Sequence, residues 1–270
     1  MNTSDLASGP APLADASSDG GFAEGAAEGA ADSAAEATAD AAVDGSALSA
    51  RYAAAVQADN PIAYLRLEEA SGPSAKNETG GPAAVYSAGI AFGVPGAFAG
   101  SRAIAMNGSS NGAVTLGNVA GFDVSKPFSL ELWYRPDGID NAFRFLANEF
   151  ESVDGGLDSF GVYTQSSVGI VAERYVRNVS ILGSATAPQP AVFHHLVGTY
   201  DGASVTLFVD SVGVAQKADA RASTSRNPVI SFGAYNVDGP TVIGAIDELA
   251  VYNTALTSSQ VAAHYAASGR

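Results

Sequence analysis

Short segments with a period of two dominate the chain between residues 62 and 257. Large apolar residues alternate with polar or small ones, as in half-buried β-strands, and Gly-rich turns separate the segments. The clearest segments are residues 128–135, 195–200 and 246–252. No long amphipathic helix interrupts them, so the sequence predicts an all-β fold without βαβ units. The expected architecture is an antiparallel two-sheet jelly-roll sandwich.

The two ends of the chain depart from this pattern. Residues 1–48 are mainly Ala, Gly, Ser, Asp and Glu, which predicts a low-complexity acidic tail that is disordered. Residues 49–270 are predicted to form one domain. A short helix is expected before the stop at Asn60-Pro61, and a capping box that begins at Thr257 predicts another. The domain should therefore have a short helix at each end.

Charge and composition exclude several classes of partner and site. The net charge is −15, and the first 50 residues hold nine acidic residues and no basic one. An acidic chain without clustered Lys and Arg argues against binding nucleic acid or anionic membranes. No apolar run reaches the roughly 18 residues of a membrane span, so no membrane insertion is expected. The chain has no cysteine, which excludes disulfides and thiolate sites.

Four segments carry motifs that occur together in one known family. They read Y-L-R-L-E-E-A-S-G at 64–72, F-S-L-E-L-W-Y-R-P-D at 128–137, H-L-V-G-T-Y-D-G followed by L-F-V-D at 195–210, and I-D-E-L-A-V-Y-N-T-A-L-T at 246–257. In this order they resemble the laminin-G-like, concanavalin A-like lectin and glucanase jelly rolls. The resemblance implies that the first and last strands are neighbours. Because this family includes lectins, adhesion modules, glycanases and virion components, it specifies the fold more than the function.

Asp247 is the residue that the alternation makes conspicuous. In a regular strand it would share a face with Leu249, and a carboxylate there needs a cation, a metal or several donors. The resemblance implies calcium, because many relatives bind it with this aspartate and with a loop residue that is Asn77 here. The expected ligands are Asp247, Asn77 and Glu68. The alternative is that Asp247 pairs with Arg66 or accepts backbone N–H bonds.

The sequence lacks the common catalytic patterns of this fold. Glycanases of this fold use a strand motif E-x-D-x-E or E-x-D-x-x-E, which no stretch contains. Residues 149–154 are acidic but wrongly spaced, and they are predicted to be a solvated loop. His194 and His195 are adjacent and would point to opposite faces of a strand, so they cannot chelate one metal together. The sequence therefore predicts that the protein is not an enzyme.

Aromatic side chains are the candidates for contacting a ligand. Trp133, Tyr163 and Tyr235 can stack on sugar rings, whereas the alternative for any aromatic residue in a sandwich is core packing. Trp133 shares a strand face with Glu131 and Arg135, so it is expected on a semi-exposed sheet.

These observations lead to one leading prediction of function and two alternatives. The leading one is a non-catalytic binding or adhesion module for carbohydrate or a protein surface ligand, assisted by calcium. Met1 is not followed by a signal-peptide pattern, and the expected location is extracellular or on a virion surface. The first alternative is a structural or assembly protein, a phage virion or surface filament component that self-associates. The second is a glycan-cleaving enzyme.

Overall fold

The computed structural model describes residues 45–153, 156–176, 179–223, 229–235 and 239–270. The predicted tail lies outside these ranges up to residue 44. The described elements are helices α1 (Gly45–Ala58) and α2 (Ser258–Ala267) and the strands β1 (Ala63–Leu65), β2 (Ser74–Ala75), β3 (Ala84–Tyr86), β4 (Ala91–Pro95), β5 (Arg102–Asn107), β6 (Val114–Gly117), β7 (Phe128–Pro136), β8 (Arg144–Val153), β9 (Gly156–Gln165), β10 (Gly169–Val176), β11 (Val179–Ala185), β12 (His194–Tyr200), β13 (Ser204–Val209), β14 (Val212–Ala218), β15 (Val229–Phe232) and β16 (Ile243–Tyr252).

The strands form two antiparallel sheets, which confirms the predicted jelly-roll sandwich. Sheet A has the order β14-β13-β12-β7-β16-β5-β4, and β1 also pairs with β16. Sheet B has the order β11-β10-β9-β8-β15-β6-β3-β2. The first strand pairs with the last as expected, with Leu65 opposite Leu249. Within the described ranges, neither helix is long and apolar enough to cross a membrane.

Two buried clusters hold the layers together. The larger lies between the sheets, where the inward side chains of every long strand meet, including Phe128, Phe160 and Phe232. The smaller lies on the outer face of sheet A, where α1 and α2 bring Tyr52 and Val261 onto Trp133. Burial of this apolar surface accounts for the attachment of both terminal helices.

A β-bulge in β16 changes which side chains share a face. The pairing of β16 with β7 shifts between Asp247 and Ala250, and Glu248 adopts a left-handed φ of 51°. Leu249 therefore joins Ile246 in the core between the sheets, whereas Asp247 lies opposite Trp133 on the helix side. The predicted shared face of Asp247 and Leu249 is wrong, because the extra residue reverses the alternation.

The acidic stretch at residues 149–154 is also placed differently from the prediction. Residues 149–153 belong to β8, which pairs with β9 on one side and β15 on the other. The predicted loop is therefore wrong over these residues, because residues 149–153 all pair with β9 and residues 149 and 150 also pair with β15.

Candidate functional site

A cleft of about 360 Å³ opens on the outer face of sheet B. Along β9, Phe160 and Val162 point into the core, so Gly161 and its neighbours two residues away point outward. The cleft has the size of a small-ligand site and combines apolar with polar lining. Its lining residues are Phe143, Phe145, Ser159, Gly161, Glu173, Tyr175 and Tyr235.

Four aromatic rings form a continuous row, which we call the aromatic row. Phe143, Phe145 and Tyr235 line the cleft, whereas Tyr163 is 2% exposed and is not a lining residue. The ring centroids of Phe143 and Tyr163 are 5.3 Å apart, those of Tyr163 and Phe145 are 5.2 Å apart, and those of Phe145 and Tyr235 are 5.2 Å apart. Phe143 is 52% exposed, which is unusual for a phenylalanine. The row offers flat apolar surface to a ligand while each ring supports the next.

Gly161 forms the floor of the cleft because it has no side chain. It lies between Asn148 of β8 and Glu173 of β10 in the strand pairing. A Cβ atom at this position would lie 2.8 Å from Cε1 of Phe145. The glycine therefore allows the Phe145 ring to lie across the sheet, and any larger residue would displace that ring.

Tyr235 is held in place through its backbone. The Asn148 side chain donates to the Tyr235 carbonyl at 3.1 Å, and the Ser231 hydroxyl donates to Asn148 Oδ1 at 3.0 Å. Asn148 and Ser231 are both buried. These bonds fix the end of the aromatic row before any ligand arrives, which reduces the entropy cost of binding.

Glu173 brings a charge into a cleft that is otherwise aromatic and neutral. The Ser180 hydroxyl donates to its carboxylate, which limits the rotamers of the side chain. Burial and, next, the negative charge of Glu173 raise the pKa of Tyr163. The cleft thus combines flat rings with a positioned hydrogen-bond acceptor.

The structure brings together two of the three predicted aromatic residues. Tyr163 and Tyr235 both belong to the aromatic row, but only Tyr235 lines the cleft, because the Tyr163 side chain is 2% exposed. Trp133 is 0% exposed, on the outer face of sheet A, where it packs against Tyr52 and Phe98. The expected exposure of Trp133 is wrong, because the terminal helices cover its face. Trp133 also belongs to sheet A, whereas the cleft is on sheet B.

Phe143, Phe145 and Glu173 were missed by the sequence analysis. The signal for the two phenylalanines was their spacing of two residues, which places them on one face of a strand. A register shift between Phe145 and Ala147 hides the continuation of that face along β8. Glu173 and Tyr175 have the same spacing on β10, and only their pairing with Gly161 and Ser159, respectively, shows that both reach the cleft.

Asp247 is buried and accepts two backbone hydrogen bonds. Its Oδ2 atom accepts from the Ala97 N–H at 2.9 Å, and its Oδ1 atom from the Glu248 N–H at 3.0 Å. Arg66 pairs with Glu248 at 3.2 Å instead. Burial and the charge of Glu248 raise the pKa of Asp247, and burial raises the pKa of Glu248 to about 7. The structure therefore shows the backbone-clamp alternative for Asp247.

The other two predicted calcium ligands are also engaged by the protein. Asn77 Oδ1 accepts from the N–H groups of Tyr64 and Thr79 at 3.1 and 3.2 Å. Glu68 Oε2 accepts from the Arg102 N–H at 3.0 Å. Across the part of the chain that the structure describes, no group of three His, Cys, Asp or Glu side chains is arranged to hold a metal ion. In this arrangement the ligand set does not fit calcium, since an ion would have to replace these bonds.

A buried carboxylate with two histidines lies beneath the terminal helices. Glu131 accepts hydrogen bonds from Tyr52, Tyr252 and His195 at 2.8, 2.6 and 2.6 Å, and from His264 at 3.0 Å. Glu131 and His195 are fully buried and His264 is nearly so. These residue types occur in catalytic sites, but no substrate can reach them here, and they tie both helices to sheet A.

Comparison with known sequences identifies a family match. The family model described as the concanavalin A-like lectin/glucanases superfamily matches residues 107–262 of this chain. No curated protein sequence matches the chain. The matched segment includes most of sheet B, with the whole aromatic row, and the long strands of sheet A.

Comparison with solved structures finds the same fold in several proteins. The binding domain of Paraclostridial Mosquitocidal Protein 1 has a TM-score of 0.58 and 16% identity, with 77% of this chain and 52% of that chain covered. Trypanosoma rangeli sialidase has a TM-score of 0.58 and 14% identity, with 75% of this chain and 32% of that chain covered. Domain 4 of AbnA, a GH43 extracellular arabinanase from Geobacillus stearothermophilus, has a TM-score of 0.57 and 18% identity, with 75% of this chain and 96% of that domain covered. At such identities the likeness establishes the fold alone, and the chain spans only part of the first two proteins.

Proposed function

Because this chain belongs to the concanavalin A-like lectin/glucanases superfamily, we propose that it is a non-catalytic module that binds carbohydrate in the cleft of sheet B. The observation that carries the proposal is the aromatic row beside Glu173. A sugar ring has a face of C–H groups and a rim of hydroxyl groups. The row matches the face, and the carboxylate and the Ser159 hydroxyl match the rim.

One structural neighbour supports a carbohydrate ligand. Domain 4 of the arabinanase was solved in complex with arabinotriose, and this chain covers 96% of that domain. A module of this kind would work where glycans are displayed, so the proposal includes an extracellular or virion-surface location and a role in adhesion. A protein ligand or self-assembly would be the interpretation if glycans fail to bind.

The arrangement of carboxylates supports a binding role over catalysis. Glycosidases of the common mechanisms place two carboxyl groups on either side of the scissile bond. Glu173 is the single carboxylate among the described lining residues. Glu149 on β8 lies opposite Phe160, on the core side of the sheet, and is 1% exposed. It therefore does not face the cleft.

Binding to a glycan array by the full chain tests the proposal. Wild type is compared with Tyr235→Ala, which shortens the aromatic row, and with Val212→Ala, which trims an apolar side chain that is 61% exposed on β14. We expect Tyr235→Ala to weaken binding about tenfold, or about 1.4 kcal/mol, because a stacking surface is lost. Val212→Ala should match wild type. An array without signal, or equal binding by Tyr235→Ala, would contradict the proposal.

The non-catalytic part of the proposal has its own assay. Glycans that bind are incubated with wild type and with Glu173→Gln, and new reducing ends are measured. We expect neither protein to produce new reducing ends. New reducing ends that appear with wild type and not with Glu173→Gln would show instead that the cleft is an active site.

A further inference from the structure

The cleft contains a negative charge and no positive one among its described lining residues. Glu173 is the charged member of the seven, and it lies beside the glycine floor. The carboxylate of Glu149, on the core side of the sheet, adds to this negative charge. Burial and, next, the charge of Glu149 raise the pKa of Tyr235. The aromatic row therefore lies in a field that disfavours anions.

Two arginines that adjoin lining residues in sequence do not offset this charge. Arg174 follows Glu173 but points to the opposite side of β10, where it pairs with Asp219 at 2.7 Å and is 2% exposed. Arg144, between Phe143 and Phe145, pairs with Asp140 and donates to the carbonyls of Gly108 and Thr241 at 2.6 and 2.8 Å. Both guanidinium groups are committed to the framework and are turned away from the cleft.

Ser180 keeps Glu173 at the position where it meets a ligand. The Ser180 hydroxyl donates to Oε1, and the Tyr163 ring belongs to the adjacent aromatic row. A carboxylate only accepts hydrogen bonds, so it suits sugar hydroxyl and amino groups. A carboxylate or sulfate on the ligand has no proton to give and meets a like charge within a few ångströms, which disfavours binding by about tenfold or more.

We propose that the cleft selects glycans that carry no acidic group, and that Glu173 is the residue that determines this selectivity. The inference rests on the proposed function and deepens it. Neutral sugars and sugars with an amino group bind by donating to Glu173 while their rings stack on Phe145 and Tyr235. Uronic acids, sialic acids and sulfated sugars are rejected.

Matched pairs of probes test this selectivity in the full chain. Arabinotriose, cellotriose and chitotriose are each compared with the same trimer after oxidation of its primary hydroxyl groups to carboxylates, by calorimetry in low salt. We expect the parent trimer that binds best to bind at least tenfold more tightly than its oxidised form. High salt should narrow that difference, because it screens the repulsion.

Two variants assign the effect to one side chain. Glu173→Gln keeps the shape and an acceptor oxygen but removes the charge. It should raise the affinity for the oxidised trimer about fivefold or more and weaken binding of the parent trimer, which donates to Glu173, so the difference between the two trimers narrows. Glu78→Gln removes the same charge from an exposed ion pair with Lys76, and it should change neither the affinity for the parent trimer nor that for the oxidised trimer. Equal binding of parent and oxidised trimers by wild type, or an unchanged difference in Glu173→Gln, overturns the selectivity and leaves carbohydrate binding standing. No binding of any trimer by wild type overturns both.

Discussion

Glu131 shows how one buried carboxylate can be stabilised by hydrogen bonds from distant parts of a chain. Its donors come from α1 (Tyr52), β12 (His195), β16 (Tyr252) and α2 (His264). Burial alone would raise the pKa of Glu131, but the charge of His264 and the hydrogen bonds of both histidines outweigh it and lower that pKa. Burial would likewise lower the pKa of His264, but the carboxylates around it raise it. The charged pair is thus favoured in the folded state.

The Glu131–His264 pair predicts a specific pH dependence of stability. The lowered pKa of Glu131 contributes stability above the ordinary carboxyl pKa of 4.5, and this is lost as the pH falls. The raised pKa of His264 contributes below the ordinary value of 6.5, and this is lost as the pH rises through the raised pKa. We expect His264→Gln to cost about 3 kcal/mol near pH 5.5 and less at pH 8. Urea unfolding at both pH values measures this.

A matched histidine provides the control for this prediction. His194 also pairs with an aspartate, Asp210, at 2.6 Å, but both side chains are partly exposed. His194→Gln should therefore cost about 1 kcal/mol or less. The prediction fails if His264→Gln costs no more than His194→Gln at pH 5.5, or if its cost is the same at both pH values.

At the scale of elements, alternation predicts strands well and fails where a bulge interrupts them. The β12–β13 hairpin and the pairing of β1 with β16 follow from residue patterns and from the family resemblance. The bulge after Asp247 reversed one predicted face, and the shift after Phe145 concealed the row that includes Tyr163. The helices were predicted, but the surface they cover was not, because docking depends on contacts far apart in sequence. Trp133 was misplaced for that reason.

Strand β16 also carries the test of the calcium prediction. If calcium binds at Asp247, it replaces the hydrogen bonds from Ala97 and Glu248, and its binding free energy then adds to stability. Because Asp247 already accepts these two bonds, the expected outcome is the same Tm for wild type in millimolar CaCl2 and in EDTA. A higher Tm for wild type in CaCl2 that Asp247→Asn abolishes would contradict the backbone clamp and show calcium binding at this strand.

At the scale of the whole domain, the outer faces of the two sheets have different roles. The outer face of sheet A is closed by α1 and α2, which bury Trp133 and the Glu131 cluster. The outer face of sheet B carries the cleft, with Phe143 half exposed. The core between the sheets therefore separates the buried cluster that attaches the helices from the proposed ligand site. Substitutions on the outer face of sheet A should therefore leave glycan affinity largely unchanged, and substitutions in the cleft of sheet B should leave the packing around Trp133 largely unchanged.

The single tryptophan of the chain reports on this separation. The Tyr265 ring of α2 stacks on Trp133 with centroids 6.1 Å apart and planes inclined by 14°. We expect Tyr265→Ala to admit water to Trp133, shifting its emission to longer wavelength without changing glycan affinity. Tyr235→Ala should do the reverse and weaken glycan binding with an unchanged emission spectrum. Saturating wild type with a glycan should also leave the emission unchanged. A shift on glycan addition would show that the ligand is sensed at sheet A, and would contradict the separation of the two faces.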